Sequence, residues 1–221
     1  MKKVVILLIL LILVLFCFCN KEGYTSGNNI VVYYINLDHR DDRRREIIGE
    51  IQKLGGVPSI RIPGVYEKDR GHLGCSKSHI KALETFINSG SDKCIILEDD
   101  FQFINDPKQL DLPSSTFDVV MLSGSGGTVE PSSYTGLQRI NNVQTTAGYM
   151  VSKQFAPTLL QNFKDGCKLL EQDYNNHGTY AIDQYWKRLQ PTSNWFIYEP
   201  KLGIQRESFS DIQGGVVKYN I

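Results

Sequence analysis

The segment Ile30-Val31-Val32-Tyr33-Tyr34-Ile35 is an unbroken apolar and β-branched run, and it constrains the fold more than any other feature of the chain. It is far too short to cross a bilayer, which takes roughly 20 helical residues. A continuous run of this length marks a strand covered on both faces, as in a parallel sheet with helices above and below it. The following segments agree. Asp41 is placed to cap a helix whose apolar positions Ile47, Ile48, Ile51 and Leu54 share one face, Gly55-Gly56 ends that helix, and Ile60 to Ile62 forms a second strand. Strand, helix, strand at short spacing is a βαβ unit, so the expected fold is α/β, with a mostly parallel central sheet flanked by helices.

The pattern continues along the chain. Ser76 is expected to cap a second helix bearing Ile80, Leu83, Phe86 and Ile87, which stops at Gly90. Cys94 to Leu97 and Val119 to Leu122 read as buried strands, the latter ending in the flexible loop Ser123-Gly124-Ser125-Gly126-Gly127. Tyr149-Met150-Val151 is a further strand, and a helix with Phe155, Leu159, Leu160 and Phe163 follows it. Ile182, Tyr185, Trp186 and Leu189 mark a short amphipathic helix, and Trp195 to Tyr198 a late strand. No internal repeat is present.

Ahead of this body, Lys2 and Lys3 precede an apolar run from Val4 to Phe16 that continues through Cys17, Phe18 and Cys19. Residues 1–20 therefore read as a signal anchor or signal peptide. No small-x-small cleavage site follows cleanly, which favours an uncleaved single-pass membrane anchor with the body translocated; delivery to the secretory pathway is the alternative. Residues 21–29, rich in Gly, Ser and Asn, read as a linker, and residues 30–221 as one globular domain. Lys plus Arg equals Asp plus Glu at 24 each, so no overall field draws the chain to nucleic acid, and any charged chemistry is local. The body cysteines, Cys75, Cys94 and Cys167, are odd in number and form no CxxC pair, and the four histidines show no HExxH spacing. That pattern supports neither a disulfide miniprotein nor a structural zinc site nor a zinc hydrolase.

Three clusters carry the chemistry. The strand Cys94 to Leu97 runs directly into Glu98-Asp99-Asp100, which puts three acids at the carboxyl end of a buried strand, where open α/β sheets place their ligand crevice. Close like charges raise one another's pKa unless a cation neutralises them. Alternation along an extended backbone puts Glu98 and Asp100 on one face, toward a hard cation, with Asp99 pointing elsewhere. A polar loop with solvated acids is the bland alternative. The second cluster, Asn36 to Arg45, follows the first strand at the same sheet edge; its arginines oppose the helix macrodipole, and an anion such as a diphosphate would offset that cost, with Arg40 and Arg43 the candidates. Neutralisation by Asp41 and Asp42 is the other reading, and is preferred for Arg44 and Arg45. The third, Gly71 to His79, reads as a glycine-containing loop entering a helix, whose backbone N–H groups are open to an anion or a hydroxyl; on the pattern alone, a His79 satisfied within the fold is the preferred reading.

Taken in order, Ile35-Asn36-Leu37-Asp38 with Arg40, Asp42 and Arg43, Gly71 through Leu83, Ile96 to Asp100, Thr146-Ala147-Gly148-Tyr149, Ala181-Ile182-Asp183, and Gln205 with Ser210-Asp211-Ile212 resemble family 25 glycosyltransferases. That group contains bacterial lipooligosaccharide galactosyltransferases and collagen galactosyltransferases. The resemblance covers most of the body and implies a GT-A-type fold and transfer of a hexose, galactose or glucose, from a UDP-sugar with inversion. The acceptor it implies is a hydroxyl of a glycan, a lipid-linked glycan or a protein. It implies Mn²⁺ or another divalent cation held by Glu98 and Asp100. Asn36, Leu37, Arg40, Arg43, Ser78, His79 and Asp99 fall to the nucleotide sugar, and Thr146, Gly148 and Tyr149 to the acceptor. Asp183 is the candidate base, with Tyr185 and Trp186 offering an aromatic side for sugar stacking; an ordinary helix cap is the alternative for Asp183. No histidine follows His177, so Gln205, Asp211 or water is left to complete the metal shell. A non-catalytic carbohydrate-binding protein of the same fold and a nucleotide-sugar hydrolase or nucleotidyltransferase are the competing functions.

Overall fold

A computed structural model describes residues 30–107, 117–210 and 215–217. The leader 1–20, the linker 21–29 and Asp211-Ile212 lie outside the described residues. Among the described residues, no helix is long and apolar enough to cross a membrane.

The first apolar run is strand β1, Ile30–Asn36. Helix α1, Asp41–Gln52, and strand β2, Ser59–Pro63, complete a βαβ unit, with β2 parallel to β1. Helix α2, Gly71–Ile87, then leads to β3, Lys93–Glu98, parallel to β1 on its other side. The later strands are β4, Phe101–Phe103; β5, Val119–Met121; β6, Thr128–Pro131; β7, Leu137–Asn141; and β8, Gly148–Ser152. Helix α3, Ala156–Gln172, the one-turn helices α4, His177–Tyr180, and α5, Ile182–Tyr185, and a 3₁₀ segment at Trp186–Thr192 precede β9, Trp195–Tyr198, and β10, Gly203–Gln205.

Eight strands form the central sheet in the order β2-β1-β3-β8-β5-β9-β7-β6. The pairings set β2, β1, β3, β5, β9 and β6 in one direction and β8 and β7 in the other. The sheet is thus mostly parallel in strand direction, with helices on both faces. On one face Ala82, Leu83 and Phe86 of α2 and Leu159 and Phe163 of α3 pack against Tyr33, Ile96 and Tyr149. On the other, Ile47 and Ile51 of α1 pack against Val32, Tyr34, Ile95 and Leu97. The strands are covered on both sides, which is why their sequences read as continuous apolar runs.

Several boundaries differ from expectation. Asp41 is the first helical residue and not the cap, a position held by Arg40 with no side-chain cap bond. Helix α1 closes at Gln52, and Gly55 and Gly56, with φ of 72° and 92°, turn the chain beyond it. Helix α2 begins at Gly71, five residues before Ser76, whose hydroxyl donates to the His72 carbonyl one turn back at 2.9 Å. Gly71 to His79 is therefore helix throughout, not an anion-binding loop. The glycine serves packing, since a Cβ on Gly74 would lie 2.4 Å from the Val65 carbonyl oxygen. Ser78 fixes the same contact by accepting from the Val65 N–H at 2.8 Å while donating to the Gly74 carbonyl at 2.7 Å. Tyr185 and Trp186 are buried, Trp186 against Trp195, Tyr149 and Phe163, so neither is open for sugar stacking.

Candidate active site

The carboxyl ends of β1 and β3 lie side by side, with Ile35 opposite Glu98 in register. A cleft opens there, lined by Leu37, Val65, Tyr66, Cys75, Glu98 and Asp100, with Asn36, Arg43, Ser78, His79, Asp99 and Gln205 also on its wall. The structure therefore brings together residues from all three sequence clusters. Thr146, Gly148, Tyr149, Arg40 and Asp183 are not on that wall. Arg40 is ion-paired to Asp42 at 2.9 Å.

The three acids have three environments. Asp99 is bound on both oxygens: Asn36 Nδ2 donates to Oδ2 at 2.8 Å and Arg43 Nη1 to Oδ1 at 2.9 Å. Asn36 is itself fully engaged, donating to the Arg40 carbonyl and accepting from Arg61 Nε at 3.1 Å. These contacts make Asn36, Arg43 and Asp99 the frame of the site. Burial pushes the Asp99 carboxyl up, and Arg43 and Asn36 work against that rise.

Arg43 also lies 3.3 Å from Asp100 Oδ2, to which Gln205 Nε2 donates at 3.2 Å. The cation that first tempers the acidic turn is thus a guanidinium from the first turn of α1, and Arg43 is drawn inward to carboxylates instead of outward to an anion. It does not suffice for Asp100. Burial, and then the Glu98 charge, raise the Asp100 carboxyl to about 7. Its Oδ1 is buried and, among the described residues, has no hydrogen-bond partner. An orphaned carboxylate oxygen in a cleft costs on the order of 1–3 kcal/mol or more, and a ligand that meets it recovers that cost.

Glu98 is arranged differently. Its Oε1 accepts from Thr146 Oγ1 at 2.6 Å, faces His79 Nε2 at 3.1 Å and receives the Cys75 thiol at 3.9 Å. Among the described residues no donor reaches Oε2. Burial disfavours its charge, but the His79 and Thr146 contacts and the Arg43 charge outweigh it and hold the carboxyl below its ordinary value. Tyr149, fully buried, meets His79 Nδ1 through its hydroxyl at 3.0 Å. Thr146 and Tyr149 therefore act on the cleft from behind, by fixing Glu98 and His79.

Gly148 has a packing reason rather than an approach to acceptor. A Cβ there would sit 2.5 Å from the Phe101 ring, and one on Gly203 would sit 2.2 Å from it. Phe101, fully buried between the two glycines, anchors the turn that carries Asp99 and Asp100. Gly148→Ala is expected to destabilise the domain by about 1–3 kcal/mol, the usual cost of overpacking, which a urea unfolding midpoint measures.

Asp183 sits in the first turn of α5, behind Ala181 as the cap, so it is not a helix cap. Burial, and then the Glu98 charge, push its carboxyl up, while Lys187, the Gln184 side chain and the Thr145 backbone pull it down. Thr145 holds φ at 89°, a strained angle for a β-branched residue. Arg61 was not anticipated: it braces the end of β1 through Asn36 and Asp38, yet in sequence it is one polar residue in an edge strand. Gln205, one of the three options left for the metal shell with Asp211 and water, donates to Asp100 and so positions it.

No protein-family model and no curated protein matches the sequence. Solved structures do. One is a glycosyltransferase involved in glycosylation of the major capsid of PBCV-1, at 16% identity and a TM-score of 0.47, covering 77% of this chain and 82% of that one. Another is the glycosyltransferase GlyE of Streptococcus pneumoniae TIGR4, at 10% identity and 0.46, covering 76% of this chain and 45% of that one. A third is a Drosophila galactosyltransferase mutant in complex with manganese, UDP-Gal and xylobiose, at 11% identity and 0.37, covering 59% and 52%. Glycosyltransferases are thus among the solved folds that this chain resembles.

Proposed function

We propose that the chain is a GT-A-type glycosyltransferase that moves a hexose from a UDP-sugar to a hydroxyl of a glycan, a lipid-linked glycan or a protein, with inversion and with the help of Mn²⁺. The observation that carries the reading is Asp100 Oδ1, a buried carboxylate oxygen without a partner among the described residues, on the wall of a cleft at the carboxyl ends of β1 and β3. Glu98, Asp99 and Asp100 share one buried guanidinium, Arg43, so the acidic turn has acceptor oxygens to spare for a hard cation. Asp100 and the unengaged oxygen of Glu98 would hold it, and the bound ion would supply charge stabilisation for a departing nucleotide diphosphate. Leu37, Val65 and Tyr66 provide an apolar wall suited to a base and ribose. Asp183 accepts the proton of the attacking hydroxyl. The residues 1–20 anchor the enzyme and the domain is translocated. Family identity with the family 25 enzymes rests on the ordered motifs alone.

The test is a screen of UDP-, GDP- and CMP-sugars with the full chain, with and without Mn²⁺, following nucleotide release and the fate of the sugar. Release of UDP that requires both the cation and an acceptor is expected. Free sugar in place of a glycosylated product would make the protein a hydrolase, and no release from any donor would sink the enzyme reading.

A further inference from the structure

Cys75, His79 and Glu98 each offer one ligand atom, and the three lie within 4.8 Å of one another. Cys75 and His79 are four residues apart on α2 and so share a helix face; Glu98 ends β3 beside them. His79 Nε2 is 3.1 Å from Glu98 Oε1 and Cys75 Sγ is 3.9 Å from the same oxygen. A tetrahedral ion with bonds of about 2.0–2.3 Å holds its ligand atoms roughly 3.3–3.7 Å apart, so the widest of these separations has to close by about 1 Å to seat one.

The supporting shell is already built. Tyr149 meets the far nitrogen of His79 at 3.0 Å and stacks on its ring, with Phe163 at the ring edge. Thr146 holds Glu98 at 2.6 Å. A ligating histidine needs such a partner on its other nitrogen, and a ligating carboxylate needs an orienting donor. Cys75 and Glu98 both line the cleft, which leaves a fourth position open to solvent.

We infer that Cys75, His79 and Glu98 form a site for a thiophilic divalent cation of the Zn²⁺ or Co²⁺ class, distinct from the hard-cation position at Asp100. On binding, the Cys75 thiol proton leaves to solvent, and the hydrogen of neutral His79 resides on Nδ1, donated to the Tyr149 oxygen, which frees the Nε2 lone pair. A thiolate and an imidazole select a softer ion than an all-oxygen set does. Glu98 belongs to both positions, so an ion here opposes the one at Asp100. The inference rests on these side chains and not on the transferase reading, and its test does not use turnover.

The probe is Co²⁺ added to the full chain carrying Cys17→Ser and Cys19→Ser, read as the near-ultraviolet sulfur-to-cobalt charge-transfer band. A saturable band is expected, lost in Cys75→Ser and in Cys75→Ala, and kept in Asp100→Asn. Tyr149→Phe is expected to weaken Co²⁺ binding by about 10- to 100-fold. No band in the parent chain, or a band that survives both Cys75 variants, overturns the inference. Loss of the band in Asp100→Asn overturns the claim of two separate positions.

Discussion

Asp183→Asn is expected to lower kcat by about 10²- to 10⁴-fold, the span of a lost general base, while the donor binds as before. The amide keeps the shape of the side chain and its place in the first turn of α5, but it cannot take a proton from the acceptor hydroxyl. Asp183 suits that task because burial and the neighbouring Glu98 charge raise its proton affinity above that of an ordinary carboxylate, while Lys187 and Gln184 keep its ionised form accessible. A base works only when deprotonated, so turnover of the parent enzyme falls as pH drops through this raised pKa, and the acidic limb of its kcat profile lies above the ordinary aspartate range. The limb disappears in the variant. Steady-state kinetics across pH, with donor binding measured separately by calorimetry, decides the matter: a weakened donor with unchanged kcat would move Asp183 out of the catalytic role.

The frame that places Asp183 near Glu98 was only partly legible in the residues. The βαβ start was, because Ile30–Ile35 and Cys94–Leu97 are apolar at every position and only a doubly covered strand accommodates that. The direction of β8 was not. Gly148–Ser152 is buried between β3 and β5 and reads the same whether it runs parallel or, as here, antiparallel to both. The β6–β7 hairpin escaped for the opposite reason: Thr128–Pro131 is exposed along its whole length and shows no apolar period.

At the site, the edge position of Glu98-Asp99-Asp100 followed from strand periodicity, and the division of labour within it did not. Alternation alone pairs Glu98 with Asp100. The actual distinction comes from partners remote in sequence: Arg43 meets Asp99 across 56 positions and Gln205 meets Asp100 across 105. An arginine in a first helical turn signals an anion, but sequence does not say whether that anion is a ligand or a carboxylate of the protein's own. Likewise the Gly71–His79 segment reads as a loop open to an anion or a hydroxyl, and only the 2.4 Å approach of the Val65 carbonyl to a would-be Cβ on Gly74 explains its glycine as helix packing.

Asp100→Asn is expected to separate stability from function. On the proposed reading an ion held here would be worth several kcal/mol of charge stabilisation, so its loss should reduce Mn²⁺-dependent nucleotide release by at least about 10³-fold. The same variant should make the metal-free protein more stable above neutral pH. Asp100 has a folded-state pKa raised from 3.8 to about 7 by burial and by Glu98, so its neutral form is the one the fold favours. The resulting stabilisation is fully present below the unfolded value and is lost as pH rises through the folded one. Asparagine carries no charge to lose across that window, and the raised value already includes the attraction to Arg43. A net gain on the order of a few kcal/mol at pH 8 follows. Urea unfolding at pH 5 and pH 8, each with and without Mn²⁺, reads the effect. The parent should gain stability from Mn²⁺ at pH 8 and the variant should not. A variant that is less stable than its metal-free parent at pH 8, or that still responds to Mn²⁺, would show that Asp100 holds the fold together rather than holding a cation.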